Sequence, residues 1–85
     1  LTAWGQEGPR GQQTGYDQVI QGYSGMMSIT GNSETGPMRC GPQLIDFATG
    51  TTAAFAIASA LFQRERTGNG QYIDGCLTDT AFILM

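Results

Sequence analysis

An α/β fold, rich in helix with only short strands, is what this sequence predicts. Three observations carry that reading. A long Ala-rich stretch between Phe47 and Arg66 has the composition of a strong helix. Apolar residues between Tyr16 and Ser28 recur at three- and four-residue steps. Short strand-type runs stand near each end, at Leu1–Trp4 and Gln71–Leu77. The order strand, helix, helix, strand, helix fits an α/β region.

Leu1–Trp4 reads as the tail of a strand. Residues 5–15 form a loop, broken by Gly5, Gly8, Pro9, Gly11 and Gly15. From Tyr16 to about Ser28 the periodicity of Val19, Ile20, Tyr23, Met26 and Met27 predicts one helix. Gly22 and Gly25 weaken it by roughly 1 kcal/mol each relative to Ala. A second loop, rich in Gly, Asn, Ser and Pro, runs from Thr30 to Pro42.

The central helix is expected from about Phe47 to Arg66, with Asp46 a favourable N-cap type. Phe55, Ile57, Leu61 and Phe62 give it apolar bulk on most sides, which predicts packing on more than one face. Arg64 and Arg66 suit its negative C-terminal end, and Gly68 is the expected C-cap. Thr78 is the expected cap of a last helix from Asp79 onward.

Size and charge set bounds. Eighty-five residues make one small domain at most, burying only about 60–65% of the unfolded surface. The chain starts at Leu1 and stops within the apolar run Ala81–Met85, so it reads as a segment, 1–85, of a longer protein. Four arginines, no lysine and seven acids give a net charge of −3. No basic patch marks a nucleic-acid surface. Cys40 and Cys76 make no C-x-x-C pair and there is no histidine, so no metal site is expected. Two cysteines are not a secreted disulfide framework, and a cytoplasmic location is the expectation. Residues 44–62 have the length of a membrane span. Asp46, Gly50 and the threonines of the first turns favour a buried helix instead, so no membrane partner is expected.

Asp46 is the only charged side chain between Arg39 and Arg64. A carboxylate at the mouth of such a helix is either a cap or a reactive group held near backbone N–H donors.

The chain also resembles a known family, the class III CoA-transferases, which include formyl-CoA and carnitine CoA-transferases and the α-methylacyl-CoA racemases. The matching pieces are Trp4-Gly-Gln-Glu-Gly-Pro9, Gly15-Tyr-Asp-Gln-Val-Ile-Gln21 and Ser24-Gly-Met-Met-Ser-Ile-Thr-Gly31. They continue with Ile45-Asp-Phe-Ala-Thr-Gly50 and Ala60-Leu-Phe-Gln-Arg-Glu-Arg-Thr-Gly-Asn-Gly-Gln-Tyr-Ile-Asp74. They follow the family's order over nearly the whole chain, and the Arg-Glu-Arg-Thr-Gly-x-Gly-Gln run is the most specific. The resemblance implies the central segment of a Rossmann-like large domain, in a protein several times longer that forms interlocked homodimers. It implies no permanently bound cofactor, with a coenzyme A thioester and a carboxylic acid as substrates.

In the family, the aspartate matching Asp46 is the catalytic carboxylate, passing through an aspartyl anhydride and an aspartyl-CoA thioester. Nearby backbone N–H groups are expected to stabilise the oxyanions. Gly50 and its small neighbours leave room for a thioester. The loop Gln13, Thr14, Gly15 and Tyr16 matches the stretch that lies along bound CoA. Tyr16 stands where the racemase branch resembles a histidine paired with an aspartate, here Asp17. A free tyrosine titrates near ~10, a poor match for a proton-shuttling imidazole. The resemblance therefore favours transfer over racemisation or epimerisation, with a non-catalytic segment contributing only packing as a further alternative. Asp17 reads as an early-turn helix acid, Arg10 and Arg39 as candidate phosphate contacts or solvated loop residues, Met26 and Met27 as core, and Trp4 as an anchor.

Overall fold

Four helices joined by glycine-rich turns and extended segments make up the computed structural model, which describes residues 1–85. They are α1 (Asp17–Ser24), α2 (Met26–Thr30), α3 (Leu44–Thr67) and α4 (Leu77–Ile83).

The single helix expected from Tyr16 to Ser28 is two helices. Gly25 adopts φ +89°, a left-handed conformation that ends α1, and α2 starts at the next residue. A side chain rarely tolerates that backbone, whereas glycine does. The periodicity survives the break because α2 continues the apolar face with Met26.

α3 starts at Leu44, three residues before the expected start, and ends at Thr67. Gly68 caps it as expected, at φ +76° with its N–H on the Arg64 carbonyl at 2.8 Å. α4 starts at Leu77, and its cap is Cys76 rather than Thr78: the Cys76 sulfur accepts the Asp79 N–H at 3.4 Å. Thr78 instead donates its hydroxyl to the Ala3 carbonyl at 2.7 Å.

The strands reduce to one parallel bridge, Thr2 with Cys76. Thr2 donates to the Gly75 carbonyl at 3.1 Å, and Leu77 donates back to the Thr2 carbonyl at 3.0 Å. This is the parallel pairing an α/β region uses, but residues 71–75 find no further ladder within the chain. A parallel sheet needs neighbouring strands and helical covers on both faces. The helix-rich part of the expectation is met, whereas the α/β, Rossmann-like layer is not formed within these residues.

The core is small. Ala3, Ile20, Met26, Ile45 and Ala81 pack together where α1, the first turn of α3 and α4 meet, with Trp4, Cys40 and Leu77 against them. Beyond that junction α3 runs on, 24 residues or about 36 Å of helix. Only Ile45 and Thr49 of α3 are buried, so the expectation of a helix packed on several faces is not met within this chain. By length and composition α3 would suffice to cross a membrane. The molecule measures 56 × 24 × 16 Å, and its radius of gyration of 15.3 Å exceeds the ~12 Å typical of a compact chain this size.

Candidate functional site around Asp46

The first four N–H groups of a helix have no partner inside it and must find one elsewhere. In α3 these belong to Leu44, Ile45, Asp46 and Phe47. Leu44 donates to the Pro42 carbonyl at 2.9 Å and Phe47 to the Gln43 carbonyl at 3.1 Å. Ile45 and Asp46 both donate to Oδ2 of Asp17, at 2.8 and 3.0 Å. The cap of α3 is therefore a carboxylate from α1. Asp46 is the third residue of the helix and takes no part in capping, which corrects the N-cap reading.

Asp17 is 1% exposed and held from both sides. Its Oδ1 accepts a short hydrogen bond from the Gln21 amide one turn along α1. Gln21, also buried, accepts the Cys40 N–H at 2.8 Å through its Oε1. The chain Cys40–Gln21–Asp17–α3 ties the second loop, α1 and the central helix together. Reading Asp17 as an early-turn acid misses this role. The signal available in the sequence was its place on the Ile20 face of α1, with Gln21 at i+4: two polar residues on a core-facing stripe need partners.

Because other groups satisfy the helix end, the Asp46 carboxylate makes no hydrogen bond or ion pair within the protein. It faces an open cleft of about 380 Å³ that it shares with Ala3, Gly15, Thr49, Gly50 and Leu77. A Cβ added at Gly50 would meet nothing within 4 Å, so the space beside Asp46 is open, as expected. The first-turn N–H groups are all engaged, however. The backbone N–H groups of Leu44 to Phe47, expected to serve an oxyanion beside Asp46, already have acceptors within these residues.

Of the four residues expected to bind CoA, Gly15 alone lines this cleft. It also packs closely: a Cβ there would lie 2.7 Å from the Ala3 Cβ and 3.1 Å from the Trp4 indole nitrogen. Trp4 donates that N–H to the Thr14 carbonyl at 3.2 Å, fixing the loop against the core edge. Gln13 accepts from Arg10 at 3.0 Å, and the Gln13 and Thr14 side chains are exposed outside the lining. Tyr16 precedes α1, 61% exposed, without a side-chain cap bond. Arg10 lies over the rings of Trp4 and Tyr23, 5.3 and 4.8 Å from their centroids, which meet edge to face. Arg39 donates to the Cys40 and Gly41 carbonyls at 3.2 and 3.0 Å. Met26 is core, as expected.

A second cleft of about 400 Å³ continues along α3, between Ala53, Ile57, Ile73, Cys76 and Ile83. Burial pushes the Cys76 thiol above its ordinary range, and Asp79 adds to the rise, partly offset by the backbone N–H groups of Asp79 and Thr78. Thr49 lines both clefts. Its side chain is buried, and its Oγ1 has no hydrogen-bond partner in the protein. A buried polar group left so costs about 1–3 kcal/mol.

Residues 1–85 match the family model described as CoA-transferase family III. The chain belongs to that family. It is 44% identical over 79 residues to the succinate–glutarate CoA-transferase of Agrobacterium fabrum, covering 93% of this chain and 20% of that protein. The succinyl-CoA:glutarate CoA-transferase of Mus musculus is 42% identical over 89 residues, covering 95% of this chain and 20% of that one. In solved structures, a CaiB/BaiF family protein from Brucella suis superposes with a TM-score of 0.90 at 42% identity, over 94% of this chain and 21% of its own. The chain thus spans about a fifth of the length of the curated relatives it matches.

Proposed function

We propose that the protein carrying this segment transfers CoA from an acyl-CoA to a carboxylic acid, with Asp46 as nucleophile. The observation that carries the reading is the free Asp46 carboxylate, relieved of capping by Asp17 and open to a cleft. In the proposed cycle, an Asp46 oxygen attacks the thioester carbonyl. The C–S bond breaks, leaving CoA thiolate and a mixed anhydride. The thiolate then attacks the aspartyl carbonyl of that anhydride. This releases the donor acid as its carboxylate and leaves CoA on Asp46 as a thioester. The acceptor carboxylate attacks the thioester, restoring an anhydride and thiolate. Thiolate attack on the acceptor's carbonyl releases the new acyl-CoA and regenerates Asp46.

The relatives named for succinate and glutarate make short dicarboxylic acids the first acceptors to try. No metal or redox group enters this cycle. The Rossmann-like large domain and the interlocked homodimer belong to this proposal too. The match of this chain to about a fifth of a longer one supports a larger body around α3, and the exposed apolar side chains of α3 support a covering partner.

The test uses the full-length protein. Asp46→Asn is expected to abolish CoA exchange between carboxylates while the melting temperature stays within a few degrees of wild type. Hydroxylamine added during turnover is expected to modify Asp46 as the hydroxamate, read by peptide mass. Substantial turnover in the variant, or an unmodified Asp46, would overturn the nucleophile assignment.

A further inference from the structure

The chain holds two asparagines, Asn32 and Asn69, both exposed. They differ in what holds them. The Asn32 Oδ1 accepts the Glu34 and Thr35 N–H groups at 2.9 and 3.0 Å, and the Thr35 hydroxyl at 3.3 Å. Its side chain is thus fixed within the turn that joins Asn32 to Gly36, and Ser33 follows it. Asn69 lies just past the Gly68 cap of α3. Its backbone is held, because its N–H donates to the Thr67 Oγ1 at 3.2 Å. Its side-chain amide has no hydrogen-bond partner in the protein, and neither has the backbone N–H of the next residue, Gly70.

A side-chain amide carbon and the backbone nitrogen that follows it can join into a five-membered ring. Closure needs an amide that is free, a nitrogen that no carbonyl holds, and no side chain on the next residue to crowd the approach. Asn69 and Gly70 meet all three conditions. Glycine adds the conformational freedom that closure uses. The fold of these residues does not itself demand that glycine: its φ lies outside the left-handed region, and a Cβ there would meet nothing within 4 Å. Asp74 and Gly75 have the same spacing without the freedom. The Asp74 Oδ2 accepts the Gln6 N–H at 3.0 Å, and the Gly75 carbonyl accepts the Thr2 N–H at 3.1 Å.

We propose that Asn69–Gly70 is a self-modification site at which Asn69 deamidates through a succinimide. Hydroxide takes the proton of the Gly70 N–H, and that nitrogen attacks the Asn69 side-chain carbonyl carbon. The new N–C bond closes the ring, the bond to Nδ2 breaks, and the amide nitrogen leaves as ammonia with a proton from water. Water then opens the ring at either carbonyl, leaving an aspartyl or an isoaspartyl linkage at position 69. One water is consumed and one ammonia released, with no change of oxidation state. Both products place a carboxylate just beyond α3, near the partial negative charge of its C-terminal end. The isoaspartyl form also lengthens the main chain before Gln71, whose amide donates to the Gln63 Oε1 at 2.9 Å. That clasp between α3 and the following extended segment is the contact the change disturbs. The proposal stands independently of the transferase reading.

The experiment incubates the full-length protein, folded, at body temperature and mildly alkaline pH. Released ammonia is followed, and peptide mass reads the replacement of NH₂ by OH at each asparagine. Asn69 is expected to convert about tenfold faster than Asn32 or more, since Asn32 must first break its turn hydrogen bonds. Gly70→Ala, which the backbone accepts without strain, is expected to slow conversion of Asn69 by crowding the attacking nitrogen. Asn69→Gln needs a larger ring and is expected to release almost no ammonia. Equal conversion of Asn32 and Asn69 would overturn the proposal. So would an Asn69 that stays intact in the folded protein yet converts after denaturation, which marks a loop held elsewhere in the full-length chain. Undiminished conversion in Gly70→Ala would remove the Gly70 nitrogen from the step and also overturn it. Should that variant not fold, ammonia release from Asn69→Gln equal to wild type would have the same force.

Discussion

Asp17 and Asp46 stand 29 positions apart and meet at one helix end, where the first carboxylate accepts the backbone N–H of the second residue. Under the proposed function, the arrangement divides two roles that a single aspartate serves badly. A capping oxygen is already engaged, whereas an attacking one must be free. The division can be tested through the amide that faces Asp17. Asp17→Asn keeps one acceptor oxygen for Ile45 and Asp46 but turns an NH₂ toward the NH₂ of Gln21. Rotating the Gln21 amide would relieve that conflict only by breaking its bond to the Cys40 N–H. The expected outcome is a loss of about 1–3 kcal/mol in denaturant unfolding of the full-length protein. Transfer should fall with it, as the α3 entrance loosens. Adding Gln21→Glu supplies an acceptor to both neighbours, and the double variant should recover part of the stability, a coupling read from the double-mutant cycle.

At the scale of elements, α3 was the most legible part of the chain and also the most exposed. Its alanines, terminal arginines and Gly68 mark the helix and its end from composition alone. Its true start was not legible, because the cap comes from α1 and lies outside any local window. The break at Gly25 was hidden for a related reason: the apolar period runs through it, and only the positive φ reveals the turn. The strands were read from residue type, but pairing is a property of neighbours, and one bridge is all these residues find among themselves. For the site, Asp46 was legible and its cleft contains Gly15, while Thr49 carried no local signal that separates it from the other threonines of α3. Phe47, Phe55 and Phe62 of α3 are 71, 74 and 61% exposed, and only ten of 85 residues are buried. So much apolar surface on one helix predicts self-association. Expressed alone, the 85 residues should show helix by circular dichroism but sediment as oligomers, without a sharp thermal transition and without transferase activity. A monomer with cooperative unfolding would show that the small core at the α1–α3–α4 junction suffices.

At the scale of the whole molecule, the proposed CoA transfer has movement of an α-proton as its first rival. Racemisation needs a base of moderate pKa on each side of the α-carbon. Asp46 would supply one side in that reading. Tyr16 holds the position where the racemase branch resembles a histidine, and these 85 residues contain no histidine. Tyr16 is also exposed and does not line the cleft that Asp46 faces. Its neighbour Asp17 is fully committed to the α3 end and to Gln21. Neither member of the Tyr16–Asp17 pair is therefore disposed to carry a proton to a carbon beside Asp46. The full-length protein is expected to exchange CoA among several carboxylic acids. It is expected to leave the α-hydrogen of a chiral 2-methylacyl-CoA in place. Deuterium wash-in at that carbon, followed beside the exchange assay, separates the two. Rapid wash-in without exchange would replace transfer by racemisation, since Asp46 would then be acting as a base. Absence of both reactions across a broad panel of acids would point to a segment that contributes packing alone. Exchange without wash-in is the outcome expected under the proposed function from a free Asp46, an engaged Asp17 and an exposed Tyr16.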